Sequence, residues 1–211
     1  MNALPILPRH RIIVAVDVEG STNRTNFARA QLRHDMYGAL EAALRASGVT
    51  DDVREPSYDR GDGALVLIHS SDRVPITRLL DTFTPVLNEL LEHHRTAWPE
   101  RTFRLRVAIH TGVVHFDLRG TYGEDIDITF RMLDAPKLKA RLLRTTGLLV
   151  LVVSDLIYQS VIRHGYDGID AGAFAPIVRV EVATQTYLGW VQVPADEQPV
   201  ATALSRVDRV S

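Results

Sequence analysis

Two aspartates stand where an apolar run meets a glycine turn. Asp17 closes the run Arg11-Ile12-Ile13-Val14-Ala15-Val16 and is followed by Val18-Glu19-Gly20-Ser21-Thr22. Asp62 sits in Tyr58-Asp59-Arg60-Gly61-Asp62-Gly63, just before the second run Ala64-Leu65-Val66-Leu67-Ile68. A carboxylate at the exposed end of a buried strand is held on backbone that is already ordered. Two of them on neighbouring strands make a site for divalent cations, and a glycine turn beside them leaves room for phosphates. Gly20-Ser21-Thr22 precedes a long helical pattern, so its amides and the helix N-terminus can hold a triphosphate without cationic side chains. Either aspartate alone reads more simply as a cap or a turn residue; the pair favours metal. With one ion on the phosphates and one lowering the pKa of an attacking hydroxyl, the chemistry is phosphoryl transfer.

The elements that must position this pair follow from periodicity. Residues 11–17 read as a central strand, a nearly unbroken apolar run. From 25 to 47, Phe27, Leu32, Met36, Leu40 and Leu44 recur every four or five residues as a helix that Gly48 can stop. Strands near 53–58 and 64–69 are joined tightly around Arg60-Gly61-Asp62-Gly63 as a hairpin. Ile76, Leu79, Leu80, Phe83, Val86, Leu87, Leu90 and Leu91 have the spacing of an amphipathic helix, closed off by Pro99. The alternation over 103–110 predicts a strand that Gly112 breaks, with 113–118 as its hairpin partner. A helix is expected over 125–143, a strand over 148–153, a short helix from Ser154-Asp155 to about Arg163, and strands over 177–183 and 186–193.

This order, β-α-β-β-α-β with further elements appended, predicts an α+β fold: a ferredoxin-like, largely antiparallel sheet with helices on one face. A doubly wound parallel sheet is the weaker alternative, because two connections read as tight hairpins. Residues 1–10, with Pro5 and Pro8, read as an irregular lead-in, 11–194 as a single domain and 195–211 as a mobile tail.

Composition narrows the function classes. At 211 residues, 45% apolar and 24% charged, the chain suits one globular domain. A formal charge of −2 gives no electrostatic case for a nucleic-acid partner. No apolar stretch approaches the roughly 20 residues of a membrane span, and the N-terminus lacks a signal-peptide pattern, so no membrane association is expected. With no cysteine there are no disulfides or thiolate metal sites, which fits a cytoplasmic location. The histidines, His93-His94, His110 and His115 among them, lack the spacing of a two-histidine metal helix. Trp98 and Trp190 read as packing residues.

Taken in order, these blocks resemble the class III nucleotide cyclase family. Its pattern of strand, Asp, two residues, Gly, Ser or Phe, then Thr matches Val16-Asp17-Val18-Glu19-Gly20-Ser21-Thr22, and its Gly-Asp hairpin matches Gly61-Asp62-Gly63. Its later strand-Gly-turn followed by Gly-Asn-x-x-Asn-x-x-x-Arg-Met/Leu is similar to Leu105 to Gly112 and then Gly123-Glu124-Asp125-Ile126-Asp127-Ile128-Thr129-Phe130-Arg131-Met132. The resemblance implies that Asp17 and Asp62, with the Val18 carbonyl assisting, hold two divalent cations, Mn²⁺ or Mg²⁺. Gly20, Ser21 and Thr22, with their backbone amides ahead of the helix, are the expected binding residues for the nucleoside triphosphate. Arg131 then steadies the phosphate in the transition state from a head-to-tail homodimer with two shared sites. The implied reaction is one in-line displacement, in which the ribose 3′-oxygen attacks the α-phosphorus and pyrophosphate leaves.

Three departures from the family pattern bear on substrate and turnover. Tyr58 stands where family members acting on ATP carry lysine, and Gly120 where they usually carry aspartate, so both adenine-reading residues are absent. A phenol in place of lysine shortens the pocket and suits a pyrimidine, UTP or CTP. This resembles the Pycsar uridylate and cytidylate cyclases, single-domain bacterial enzymes of antiphage signalling; packing at a strand edge is the competing reading of Tyr58. Asp127 replaces the family's transition-state asparagine. It can orient the ribose or bind metal, yet its charge repels phosphate oxygens, which leaves open a catalytically silent nucleotide-binding module. Arg60 either restores positive charge near the base or phosphates or is solvated on the hairpin.

Overall fold

The computed structural model describes residues 7–166 and 168–192. Its centre is β1 (Arg9–Val18), flanked by β3 (Gly63–His69) and β4 (Leu105–Asp117), both antiparallel to it. Being central explains why Ile12 to Val16 is apolar without alternation: every one of these side chains is buried. Beyond β3 lies the two-residue β2 (Tyr58–Asp59), and beyond β4 come β6 (Leu149–Ser154), β8 (Gln185–Gln192) and β7 (Phe174–Val182). The β4–β6 pair is the one parallel pairing among the described strands. Its crossover is made by α3 (Glu124–Asp134) and α4 (Pro136–Arg144). The result is the mixed α+β architecture expected from the sequence.

The helices divide between the two faces. Ile12, Val14, Val16 and Val18 point toward α1 (Asn26–Ala46), α2 (Thr84–Ala97) and α5 (Asp155–Ser160). The expectation of helices on one face holds for these three. On the other face, Ala15 and Ala108 are small enough for α3 and α4 to lie across them, bringing down Ile128, Met132, Leu138 and Leu142. Asp17 shares that second face, because strand side chains alternate.

Several boundaries differ from the sequence reading, each for a local reason. β1 begins at Arg9, inside the expected lead-in; residues 1–6 and the expected tail over 195–211 lie outside the described residues. Gly112 does not break a strand: β4 runs on for 13 residues, and its hairpin partner is β5 (Gly120–Tyr122). The single helix expected over 125–143 is two helices, because Pro136 forces Ala135 out of helical geometry, to φ −56 and ψ 131. Of the strand expected over 53–58, only Tyr58 joins the ladder, in the two-residue β2 with Asp59, apart from a lone bridge between Arg54 and Ile68; Pro56 interrupts the rest. Phe27 is 81% exposed rather than part of the buried stripe of α1. It lies five residues from Leu32, about 140° round the helix. Among the described residues no helix is long and apolar enough to cross a membrane.

Candidate active site

Register alone brings the two aspartates together. In the β1–β3 ladder Asp17 pairs with Gly63, so Asp62 is one residue beyond that rung, and the Val18 amide donates to the Asp62 carbonyl at 3.1 Å. The approach is close enough that a Cβ on Gly63 would lie 2.1 Å from the Val16 carbonyl oxygen. Gly61 turns the hairpin with φ 85, a conformation open to glycine. The hairpin is also tied down from α1. Arg33 donates to both carboxylate oxygens of Asp59 at 2.9 and 2.8 Å, the Gly61 amide donates to Asp59 at 2.9 Å, and the Tyr37 hydroxyl adds a bond at 3.2 Å. Led by the Arg33 bonds, these hold the Asp59 carboxyl well below the usual carboxylate range.

Asp62 accepts a hydrogen bond from the Ser21 hydroxyl. Gly20 has φ 64, and Ser21–Asn23 form a single 3-10 turn. α1 starts only at Asn26, capped by Thr25. The expected cradle at Gly20, Ser21 and Thr22 is therefore a separate turn ahead of the helix N-terminus.

Asp17 has a partner that sequence reasoning missed. Arg106 of β4 is its rung neighbour, and the guanidinium is ion-paired to the carboxylate. Burial pushes the Asp17 pKa up; Arg106 opposes this, while the charges of Asp62 and Asp134 add to it, and the net direction is upward. Two residues away Glu19 is gripped by Arg104 through bonds of 2.7 and 2.8 Å, and Arg104 also donates to the carbonyls of Leu142 and Thr145. That links the end of β1 to α4.

This donor set fits a divalent cation. Asp17 and Asp62 offer hard carboxylate oxygens, and the charge of Asp62 raises the Asp17 pKa, a repulsion that a cation would relieve. Among the described residues no group of three or more His, Cys, Asp or Glu could hold a metal ion by itself.

The remaining predicted residues lie elsewhere. Tyr58 is half-buried, packed with Phe116 and Phe130 on Ile13, Leu65, Leu67, Val114 and Ile126. Burial first, then the Glu55 charge, raises its pKa. Arg60 stacks its guanidinium 4.5 Å from the centre of the Phe130 ring. Asp127 and Arg131, four residues apart, share the exposed side of α3. Arg131 lines an open cleft with Asp134, Arg179 and Glu181. Gly120 has φ 144, which an aspartate would adopt only with strain.

No protein-family model matches this chain and no curated protein aligns with it. Solved structures do match. An adenylate/guanylate cyclase/hydrolase from Silicibacter pomeroyi superposes with a TM-score of 0.62 at 15% identity, covering 90% of this chain and 99% of that one. The adenylyl cyclase CyaB from P. aeruginosa gives 0.64 at 12% identity, covering 92% and 98%. The guanylate cyclase domain of RhGC from Catenaria anguillulae, in complex with GTP, gives 0.57 at 15% identity, covering 90% and 99%. The fold is that of a class III nucleotide cyclase catalytic domain.

Within one chain, this cyclase fold joins Asp17, Val18, Ser21 and Asp62 but leaves Asp127, Arg131 and Tyr58 on neighbouring ground. Arg106 could have been suspected from the alternation of Leu105-Arg106-Val107, which sets its side chain opposite the apolar face of β4. Its pairing with Asp17 needed the register, which the sequence does not carry.

Proposed function

We propose that this protein is a class III nucleotide cyclase converting a nucleoside triphosphate, a pyrimidine one (UTP or CTP), to its 3′,5′-cyclic nucleotide and pyrophosphate. The observation that carries the reading is the Asp17–Asp62 pair at adjoining strand ends, in a domain with the cyclase fold. Asp17 and Asp62, with the Val18 carbonyl, would hold two divalent cations, Mn²⁺ or Mg²⁺. Bound there, such ions neutralise phosphate charge and acidify the ribose 3′-hydroxyl. In this reading Ser21 and the amides around Gly20 bind the phosphates, and Arg106, ion-paired to Asp17 in the free protein, hands its guanidinium to a phosphate oxygen when nucleotide binds. The new bond joins the 3′-oxygen to the α-phosphorus; the bond from that phosphorus to the bridging oxygen of pyrophosphate breaks, and the hydroxyl proton leaves to solvent. Arg131, on the exposed side of α3, serves the site of a second subunit in a homodimer. Tyr58 stands where family members acting on ATP carry lysine, and a phenol there in place of a lysine suits a smaller base. The resemblance to single-domain pyrimidine cyclases extends the proposal to a cytoplasmic role in antiphage signalling.

Two observations favour a second reading. Arg106 already occupies the Asp17 carboxylate, and Asp127 brings a negative charge where phosphate charge would build. A silent module that binds triphosphate without turnover would show both. Incubating the purified protein with each of ATP, GTP, CTP and UTP and Mn²⁺ separates the two: cyclic product supports the enzyme, whereas calorimetric binding without any cyclic product supports the silent module.

A further inference from the structure

Asp125 turns its carboxylate away from the helix that carries it. Acidic residues in a first helical turn ordinarily serve the free amides of their own helix. α3 begins after Gly123 with no side-chain cap, and the Asp125 carboxylate lies on β4 instead. One oxygen is 2.9 Å from His110 Nε2, and the other accepts from the Val113 amide at 2.5 Å. The space it fills is the one Gly112 leaves, since a Cβ on residue 112 would lie 2.1 Å from the Asp125 carboxyl carbon. Gly112 has no positive φ; the position needs glycine for room. Three β4 residues thus accommodate one carboxylate from α3.

The contact is built as an anchor. His110 is 5% exposed, pairs with Ile13 in the ladder, and its Nδ1 has no partner among the described residues. Burial pushes the Asp125 pKa up, but the bonds from His110 and Val113 outweigh it, helped by the charges of His110 and His10, and the net direction is down. The carboxylate is therefore ionised and held. Thr129 donates back to the Asp125 carbonyl at 2.7 Å, carrying the fixed point into the next turn. Asp127 follows two residues later and Arg131 six, about 9 Å along a stiff rod.

We infer that the clasp of Asp125 on His110, Gly112 and Val113 sets the roll and height of α3, and so makes Asp125 and His110 positioning residues for Asp127 and Arg131. The catalytic consequence rests on the cyclase reading. A small roll at the clasp displaces the Arg131 guanidinium, and displacement acts on the transition state more than on ground-state binding.

The test compares Asp125→Ala, Asp125→Asn, His110→Gln and Gly112→Ala by steady-state kinetics and by amide hydrogen exchange across α3. Asp125→Ala should lower kcat by about tenfold or more with KM for the triphosphate changed less than about twofold, a misplacement effect. Gly112→Ala, which keeps both partners but fills the space, should reproduce that loss. Asp125→Asn and His110→Gln, which retain an acceptor and a donor, should recover most of kcat. Exchange over α3 should quicken in the two alanine variants and return toward wild type in Asp125→Asn. Unchanged exchange in Asp125→Ala, a change confined to KM, or no rescue by Asp125→Asn would overturn the inference. A wild type that makes no cyclic product would overturn the cyclase reading, and the exchange measurements would still decide the clasp.

Discussion

Arg106 and Asp17 face each other across one rung of the sheet, and the guanidinium holds the carboxylate that the proposed metal site requires. Their side chains are 11% and 18% exposed, so the pair is largely removed from solvent. Replacing Arg106 with leucine leaves a largely buried Asp17 carboxylate unpaired, with the charge of Asp62 still acting on it. Metal-free stability should fall by about 3 kcal/mol, as when one partner of a buried pair is lost. Added Mn²⁺ should then raise the melting temperature more than it does in wild type. Equal Mn²⁺ shifts in the two proteins would contradict a cation site at Asp17.

Gly63 pairs with Asp17 where the β1 and β3 backbones meet most closely. Gly63→Ala should cost about 1–3 kcal/mol through overpacking, since its Cβ meets the rigid Val16 carbonyl. Because Asp62 is the next residue, metal binding should weaken along with stability. Chemical denaturation and Mn²⁺ titration of the one variant check both.

The Arg33–Asp59 pair predicts an acid response. The Asp59 pKa is depressed in the folded state, so its stabilising effect is complete above the ordinary carboxylate range and is lost as pH falls below about 4. Asp59 is 57% exposed, which keeps the amplitude small. Urea midpoints between pH 5 and pH 2 should fall less steeply in Asp59→Asn than in wild type. Parallel curves would remove the hairpin clamp from the account.

Tyr58 carries the substrate prediction. Tyr58→Lys should move the ratio of kcat/KM for pyrimidine over purine triphosphates toward purines by about tenfold, the scale on which a single pocket contact discriminates. An unchanged ratio would make Tyr58 a packing residue of the cluster beneath it.

What the sequence displayed of the site was the part made by local chemistry. Asp17 and Asp62 were legible because each follows or precedes a buried run and abuts a glycine, and such runs announce strands. The apolar stripe of α1 was legible from Leu32, Met36, Leu40 and Leu44 for the same reason of period. Arg106 was hidden because its meaning depends on which strand lies beside β1, and strand order is a tertiary fact. Gly112 was misread as a strand breaker: glycine does interrupt strands, but here the missing Cβ makes room for Asp125, a residue 13 positions later. The break between α3 and α4 was written in Pro136, and the continuous apolar pattern around it concealed the signal.

The central claim is that one site is divided between two chains, Asp17 and Asp62 from one and Arg131 from the other. Its direct test is to prepare Asp62→Asn and Arg131→Ala separately, mix and exchange their subunits, and measure cyclic nucleotide formed from UTP and CTP with Mn²⁺. Each variant alone should be inactive. The mixture should recover about one quarter of wild-type activity, because half the dimers would be mixed and each would hold one intact site of two. A mixture as inactive as its components, or an Arg131→Ala protein as active as wild type, would contradict the account.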